Sequence, residues 1–351
     1  MAGGSWDPTA LPTRPGLYIN FKTAAAAQIK GGTLGTVAIP LKAFNGGTAA
    51  AKTFYTVANE TEAAALFGTG NIQSIKFALS GGAKEVLVYT LPTSATASDY
   101  TDMRTAYDTR PFNVFVFDGE VASTEQDAAL TWAKANKADG KHFVSVFGCV
   151  TTADDATPAT GNARSVRLLD DYAVNLVSGV TIAGTSYSSG RYAPWLAGLI
   201  AGTPINKSIT YAVATSVADV TKRLTNAETK TALAAGSLVL TNDGAKVKVE
   251  QGLTTNVTKI RAIRARQAVS NDVTKTASDA YIGKIDNNAD GQAALISAVK
   301  LYLETLETAN VLTSPVVVLD PQYSSVGDSV YLAISYVEVD SMERIFLTIN
   351  V

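Results

Sequence analysis

Apolar and polar residues alternate along Leu17-Tyr18-Ile19-Asn20-Phe21, directly after Pro15-Gly16, as a strand with one buried face requires. Residues 1–14 carry Pro8, Pro12 and the pair Gly3-Gly4 with no periodicity, and so predict an arm without structure of its own. Arm and linking strand occupy residues 1–24. From Gly31 to Leu91 glycine pairs separate short segments. Strands are expected at Gly35–Phe44 and Glu85–Leu91, and short helices at Glu60–Phe67 and Asn71–Leu79, which together describe a small β-rich unit over residues 25–95.

Between Ser98 and about Leu240 helical and strand patterns alternate, as in a layered α/β domain, here assigned residues 96–236. Ser123-Thr124-Glu125-Gln126 has capping-box spacing and opens a helix to about Ala138. The flanking runs Phe112–Phe117 and His142–Val150 are apolar enough to be buried strands. Further helices are expected over Ala163–Val177 and from near Val217. Residues 237–351 read as a mixed C-terminal domain. Strands Ser237–Thr241 and Lys246–Glu250 are joined by Asn242-Asp243-Gly244, which is hairpin turn chemistry. Helices follow at Thr258–Tyr281 and Asp290–Asn310, the second with Leu295, Val299, Tyr302, Leu303 and Leu306 on one stripe. Two strand-prone runs close the chain, Tyr331–Val339 and Ile345–Val351. The fold class is therefore α/β (α+β) in several domains, since 351 residues exceed what one core usually serves.

Composition sharpens this. Apolar residues at 46% support a well-buried globular protein, while charged residues at 17% are sparse for a soluble monomer. Part of the exterior is then expected to be covered by copies of the same chain. A formal net charge of −2 gives no general attraction to phosphates or anionic bilayers, so no nucleic-acid partner is expected. The longest apolar stretch, Ala193–Ala201, is about half of the roughly 20 residues a membrane helix needs, so no membrane insertion is expected. Met1–Arg14 lacks the pattern of an export signal, and the single Cys149 fits synthesis in a reducing cytoplasm.

Catalytic and metal constellations are weak. The lone His142 is seven residues from Cys149 on an expected strand, and residues an odd number apart there point to opposite faces. Asp286, Asn288, Asp290 and Gly291 begin like a calcium loop, but Ser297 stands where a bidentate glutamate belongs. A polar turn capping the next helix is the better account. Gly31-Gly32-Thr33-Leu34-Gly35 precedes a strand and lacks the lysine of a phosphate loop. The pairs Asp154-Asp155 and Asp170-Asp171 diverge on any regular element. No catalytic residue, cofactor or metal is assigned.

Several phrases are similar to the tail-sheath family of contractile phages, particularly the compact form of Gram-positive myoviruses and defective prophages. They are Pro15-Gly16-Leu17-Tyr18, Gly35-Thr36-Val37-Ala38-Ile39-Pro40 and Gly81-Gly82-Ala83-Lys84-Glu85-Val86-Leu87-Val88-Tyr89, then the run from Ala193-Pro194-Trp195-Leu196 to Asn206-Lys207-Ser208. Gly236-Ser237-Leu238-Val239-Leu240, Lys246-Val247-Lys248-Val249-Glu250-Gln251 and Val339-Asp340-Ser341-Met342-Glu343-Arg344-Ile345 complete the order. Ala153–Ala163 and Thr23–Ala27 look individual to this chain.

The resemblance implies a non-enzymatic subunit that polymerises helically around a tail tube in a metastable extended state. On a baseplate signal it contracts and drives the tube through a cell envelope. Partners implied are further copies of the chain, the tail tube protein, and baseplate and tail terminator proteins. The location implied is a virion tail sheath or phage-tail-like particle, including the bacteriocin type, assembled in the bacterial host cytoplasm. Both chain ends are expected to add strands to neighbouring subunits, through Leu17, Tyr18 and Ile19 at one end and Phe346, Leu347, Ile349 and Val351 at the other; pairing within the subunit is the alternative. The family places its C-terminal domain inside the sheath. Arg261 and Arg264, one turn apart, then suit either acidic groups on the tube or a surface pair balancing local acids. The alternating middle domain also admits an α/β enzyme or nucleotide-binding protein, although fold alone carries no such function. A tube or baseplate protein is disfavoured by the same alternation.

Overall fold

The apolar runs read as buried strands come together as the middle of one sheet. A computed structural model describes residues 3–4, 17–18, 29 and 34–349. At the N-terminus β1 (Gly3–Gly4) pairs in parallel with β2 (Leu17–Tyr18). All six residues of β3 (Thr36–Leu41) are buried. The chain continues through β4 (Phe54–Val57), α1 (Glu60–Phe67), α2 (Gln73–Gly81), β5 (Glu85–Thr90) and α3 (Ala97–Asp108). It then passes through β6 (Val114–Val116), α4 (Ser123–Ala138), β7 (Val144–Phe147), α5 (Pro158–Arg167) and β8 (Ala173–Leu176). A small sheet of β9 (Val180–Ile182), β10 (Thr185–Tyr187) and β11 (Asp219–Val220) surrounds α6 (Ser189–Gly202) in sequence, and α7 (Asn226–Ala234) leads into β12 (Ser237–Leu238).

The seven-stranded sheet has the order β12-β8-β7-β6-β3-β5-β4, parallel except for the edge strand β4. β3 bonds β5 on one side, from Thr36 with Glu85 to Leu41 with Thr90, and β6 on the other. The expected boundaries at residues 95 and 236 are therefore not breaks in the sheet: the unit foreseen at 25–95 supplies three strands, 96–236 another three, and β12 the seventh. Burial on both faces explains the apolar runs. Val37, Ile39, Val86, Val88, Val114, Val144 and Val146 share a core with Ile75, Trp195 and Ile200. On the opposite face Phe115, Phe147 and Tyr89 meet Met103, Tyr107 and Leu130.

The valine face is thin because α2 and α6 touch through their backbones. A Cβ on Gly198 would sit 2.0 Å from the Ala78 carbonyl oxygen, and one on Gly202 1.9 Å from that of Gly82. Trp195, 4% exposed, stacks on Tyr192 at 5.1 Å and 13°. Gly198 inside the apolar run at Ala193–Ala201, and Gly202 just after it, thus allow a close helix crossing at some loss of helix propensity.

Local chemistry moved several expected boundaries. The helix foreseen over Ala163–Val177 stops at Arg167, because Asp170 Oδ1 accepts the Tyr172 N–H at 2.8 Å and turns the chain into β8. The helix foreseen from Val217 begins only at Asn226, where Thr225 and Glu228 form a reciprocal capping box. At α4 the cap is Ala122, one residue before the expected Ser123. Gln126 instead donates from Nε2 to the buried Gly148 carbonyl at 2.9 Å.

After Val239 the chain leaves the large sheet for the expected hairpin of β13 (Leu240–Asn242) and β14 (Val247–Val249), with Asp243 Oδ1 accepting from the Ala245 and Lys246 amides. α8 (Ile260–Thr276) runs on into a wide turn at Ala277–Tyr281. α9 (Ala289–Thr308) follows, capped by Asn288, and then β15 (Leu312–Leu319) and β16 (Leu332–Glu338) pair antiparallel. β15 is not among the expected strands, since Ser314-Pro315 interrupts its pattern. Val299, Tyr302 and Leu303 of the expected α9 stripe are buried, and Leu295 and Leu306 pack partly buried beside them.

Trp195→Ala is expected to lower unfolding stability by about 3–5 kcal/mol through the cavity it leaves. Urea denaturation measures this. An unchanged midpoint combined with lost self-association would instead make Trp195 an interface residue.

Candidate assembly interface

The C-terminal unit has more β-edge than it uses. β15 and β16 form a two-stranded sheet, and among the described residues neither has a second strand partner. One face packs on α9 through Leu312, Val317 and Tyr336. The other exposes Val316, Val318 and Val337. An isolated hairpin of this kind is marginal in water, and its open edges offer unpaired N–H and C=O groups.

The same unit also carries an apolar segment that finds no place in it. Ile345, Phe346, Leu347 and Ile349 are exposed, Phe346 to 88%, and residues 339–349 form neither helix nor strand. The strand expected at Ile345–Val351 is thus unpaired within the subunit over its described part; Val351 lies outside the described residues. At the other end Leu17 and Tyr18 pair with Gly3 and Gly4, and Ile19 lies outside the described residues.

Immediately before the free segment the chain is fastened. Arg266 Nε lies 2.6 Å from Glu338 Oε1, and Lys259 Nζ lies 2.6 Å from Asp340 Oδ2 and 3.1 Å from Glu343 Oε2. Arg261 donates from one nitrogen to Ser341 Oγ and from another to the Asn310 carbonyl, both at 2.8 Å. Burial alone would raise the Glu343 carboxyl, but hydrogen bonds from Gln251 and Thr210 and the Lys259 ammonium hold it below the usual range. Glu343, Lys259 and Arg266 were not among the expected site residues. No spacing links them, and the charged break between two strand-prone runs was the one hint.

This corrects the reading of the arginine pair. Arg264 is 5% exposed and donates to the carbonyl oxygens of Thr203, at the end of α6, and of Pro204. Burial brings its guanidinium down to about 10. It caps a helix whose last carbonyls need donors, and is not a surface group that could meet a tube. One and two turns of α8 further on, Gln267 and Asn271 reach the Asn113 and His142 carbonyls at the amino ends of β6 and β7. α8 is thus welded to the sheet by polar groups.

The crevice in which an α/β sheet usually binds ligands lies at the carboxyl ends of β3 and β6, where strand order reverses. Here it is crossed by the protein's own groups. The Lys42 amide donates to Asp118 Oδ2 at 3.0 Å and Lys42 Nζ to the Glu120 carbonyl at 2.8 Å. Ser188 and Arg191 occupy the Glu120 carboxylate at 2.7 and 3.1 Å. His142 and Cys149 flank opposite ends of β7; His142 Nδ1 lies 3.0 Å from the Tyr172 hydroxyl, and burial pushes the Cys149 thiol up. Among the described residues no cluster of three or more His, Cys, Asp or Glu could hold a metal, and no helix is long and apolar enough to cross a membrane.

Comparison with known proteins gives a consistent set. Residues 93–255 match the phage tail sheath protein central domain, and residues 254–351 the phage tail sheath C-terminal domain. A tail sheath protein of Clostridium phage phiCD119 is 23% identical over 314 residues, covering 85% of this chain and 82% of that protein. The crystal structure of a sheath tail protein from Desulfitobacterium hafniense superposes with a TM-score of 0.73 at 21% identity, covering 95% of this chain and 99% of that one. The helical sheath of the anti-feeding prophage in its contracted state, seen by cryo-EM, gives 0.73 at 14% identity, covering 97% and 99%.

Arg264→Glu would set a buried carboxylate against the Thr203 and Pro204 carbonyl oxygens and is expected to cost at least about 3 kcal/mol. Arg261→Glu, at a half-buried position, should leave the unfolding midpoint much closer to wild type. Thermal unfolding of both variants checks this, and an unaltered Arg264→Glu midpoint would return that residue to the surface.

Proposed function

The chain belongs to the phage tail sheath family as a structural subunit of a contractile sheath, and from that premise we propose that its subunits are joined by exchanging terminal strands. One observation carries this reading. Among the described residues, a single subunit holds a hairpin with two open edges and an apolar C-terminal segment that fills neither of them. Donor and acceptor then belong to different copies. Phe346, Leu347, Ile349 and Val351 of one subunit add to the β15–β16 sheet of the next, and Leu17, Tyr18 and Ile19 supply the second donor at the other edge.

The energetics favour apolar burial as the driving term. Covering a large apolar side chain contributes about 1.5–3 kcal/mol, whereas a net main-chain hydrogen bond contributes about 0.5–1.5 kcal/mol and the arm must be ordered. Backbone pairing supplies the register and the side chains supply most of the affinity. Since donor and acceptor are different surfaces, the contact is head-to-tail and propagates as an open helix.

In the proposed assembly the helix encloses the tail tube in a metastable extended state, ending at a baseplate and a tail terminator. On contraction the strand pairs stay formed while the arms act as hinges, and subunit bodies move as rigid pieces to drive the tube through the target envelope. Assembly takes place in the bacterial host cytoplasm, and the product is a phage tail or a phage-tail-like particle. No step asks for bond-making chemistry.

Deleting Phe346–Val351 is expected to leave a folded, soluble monomer with a near-native melting temperature that forms no tubules in negative stain. Tubules of normal length from the truncated chain would refute exchange at this end. Unfolding would assign the segment to its own subunit's core.

A further inference from the structure

The free C-terminal segment begins two residues beyond a carboxylate that three parts of the chain converge on. Glu343 Oε1 accepts from Thr210 Oγ1 at 2.8 Å, with Ser208 Oγ 3.3 Å away. Its Oε2 accepts from Gln251 Nε2 at 2.8 Å and lies 3.1 Å from Lys259 Nζ. The donors are themselves oriented. Gly252 N–H donates to Thr210 Oγ1 at 3.1 Å, which leaves the threonine proton for the carboxylate. The Glu343 side chain is only 9% exposed, whereas Arg344 on one side and Met342 on the other are exposed. Charge-assisted bonds of this kind, sheltered from water, are about twice as strong as neutral ones.

Resting on the strand-exchange reading, we infer that Glu343 is a positioning residue for assembly: it anchors the arm to the body of the subunit and sets the point from which the donor strand departs. Thr210 follows α6, Gln251 follows β14 and Lys259 precedes α8, so the anchor ties the arm to the sheet-bearing body as well as to the C-terminal helices. Upstream, Asp340 and Ser341 are held by Lys259 and Arg261. Downstream, among the described residues, no hydrogen bond or ion pair holds Ile345, Phe346, Leu347 or Ile349, all of which are exposed. The contrast matters for tethering. A short free arm from a fixed root keeps a high effective concentration at one neighbouring edge, and an arm loosened back to Val339 spreads it over a larger volume. The fixed root also hands force on the arm directly to the subunit body when the lattice changes shape.

Trypsin reads the anchor without any assembly, because cleavage after Arg344 requires several residues on both sides to enter the protease in extended form. In the isolated monomer Glu343→Ala is expected to speed cleavage at Arg344-Ile345 about ten-fold, as a local opening that no longer breaks four contacts. Glu343→Gln, which keeps acceptors for Thr210 and loses the charge pair, should fall between. In sedimentation assays the concentration needed for half-maximal tubule formation should rise in the same order. If Glu343→Ala is insoluble, Glu343→Gln and Thr210→Val carry the same two measurements. Unchanged cleavage overturns the anchor, and faster cleavage with unaltered assembly overturns its positioning role. Failure of the exchange reading shows elsewhere, as tubules formed by the chain lacking residues 346–351.

Discussion

A β-edge is a row of hydrogen-bonding groups that must be paired, covered or left in water, and among its described residues this subunit leaves two such edges beside an apolar segment that covers neither. Most of what is unusual about the C-terminal unit follows from that. The hairpin has too little of its own to bury, with Val316, Val318 and Val337 open on one face. The terminal segment carries large side chains where a free tail would carry polar ones. Each feature is a liability in a monomer, and together they are complementary. In the proposed lattice, burial withheld from folding is spent on association.

Such an arrangement needs a body that does not deform when its arms are pulled. The seven-stranded sheet provides it, with both faces covered and α2 and α6 in backbone contact through Gly198 and Gly202. α8 couples this body to the exchange unit by Arg264, Gln267 and Asn271, whose partners are backbone carbonyls. Polar contacts at fixed geometry define one docking angle, which an apolar patch would leave looser. The same helix turns Lys259, Arg261 and Arg266 towards residues 338–343, so one element holds the sheet at one face and roots the arm at another. The groups that cross the crevice at β3 and β6 fit this picture: Lys42, Glu120 and Arg191 are engaged in holding loops together.

How much of this was legible beforehand depended on range. Helices at Glu60–Phe67 and Ser123–Ala138, the hairpin around Asp243-Gly244 and the buried stripe of α9 are set by neighbours a few residues apart, and periodicity and turn chemistry determined them from sequence alone. So did the strand propensity and apolar character of the C-terminal run, and the sparse charge that pointed to burial among copies. The phrases shared with sheath proteins carried the function.

Tertiary structure decided whatever depends on pairing across the chain. Strands from residues 36–90 and 114–176 joined one sheet because edge-to-edge hydrogen bonding takes no account of the glycine-rich punctuation between them. Ala173–Leu176 became a strand because an Asx turn and a vacant place beside β7 outweighed helical periodicity. Arg261 and Arg264 share a spacing but not a fate, since the docking of α8 put one into the α6 carboxyl end and the other against Ser341. Glu343 draws its partners from positions 208 to 259, and no local pattern could have named them. Sequence fixes what each segment prefers within a turn or a strand. Only the folded chain decides which distant donors a buried carboxylate will find.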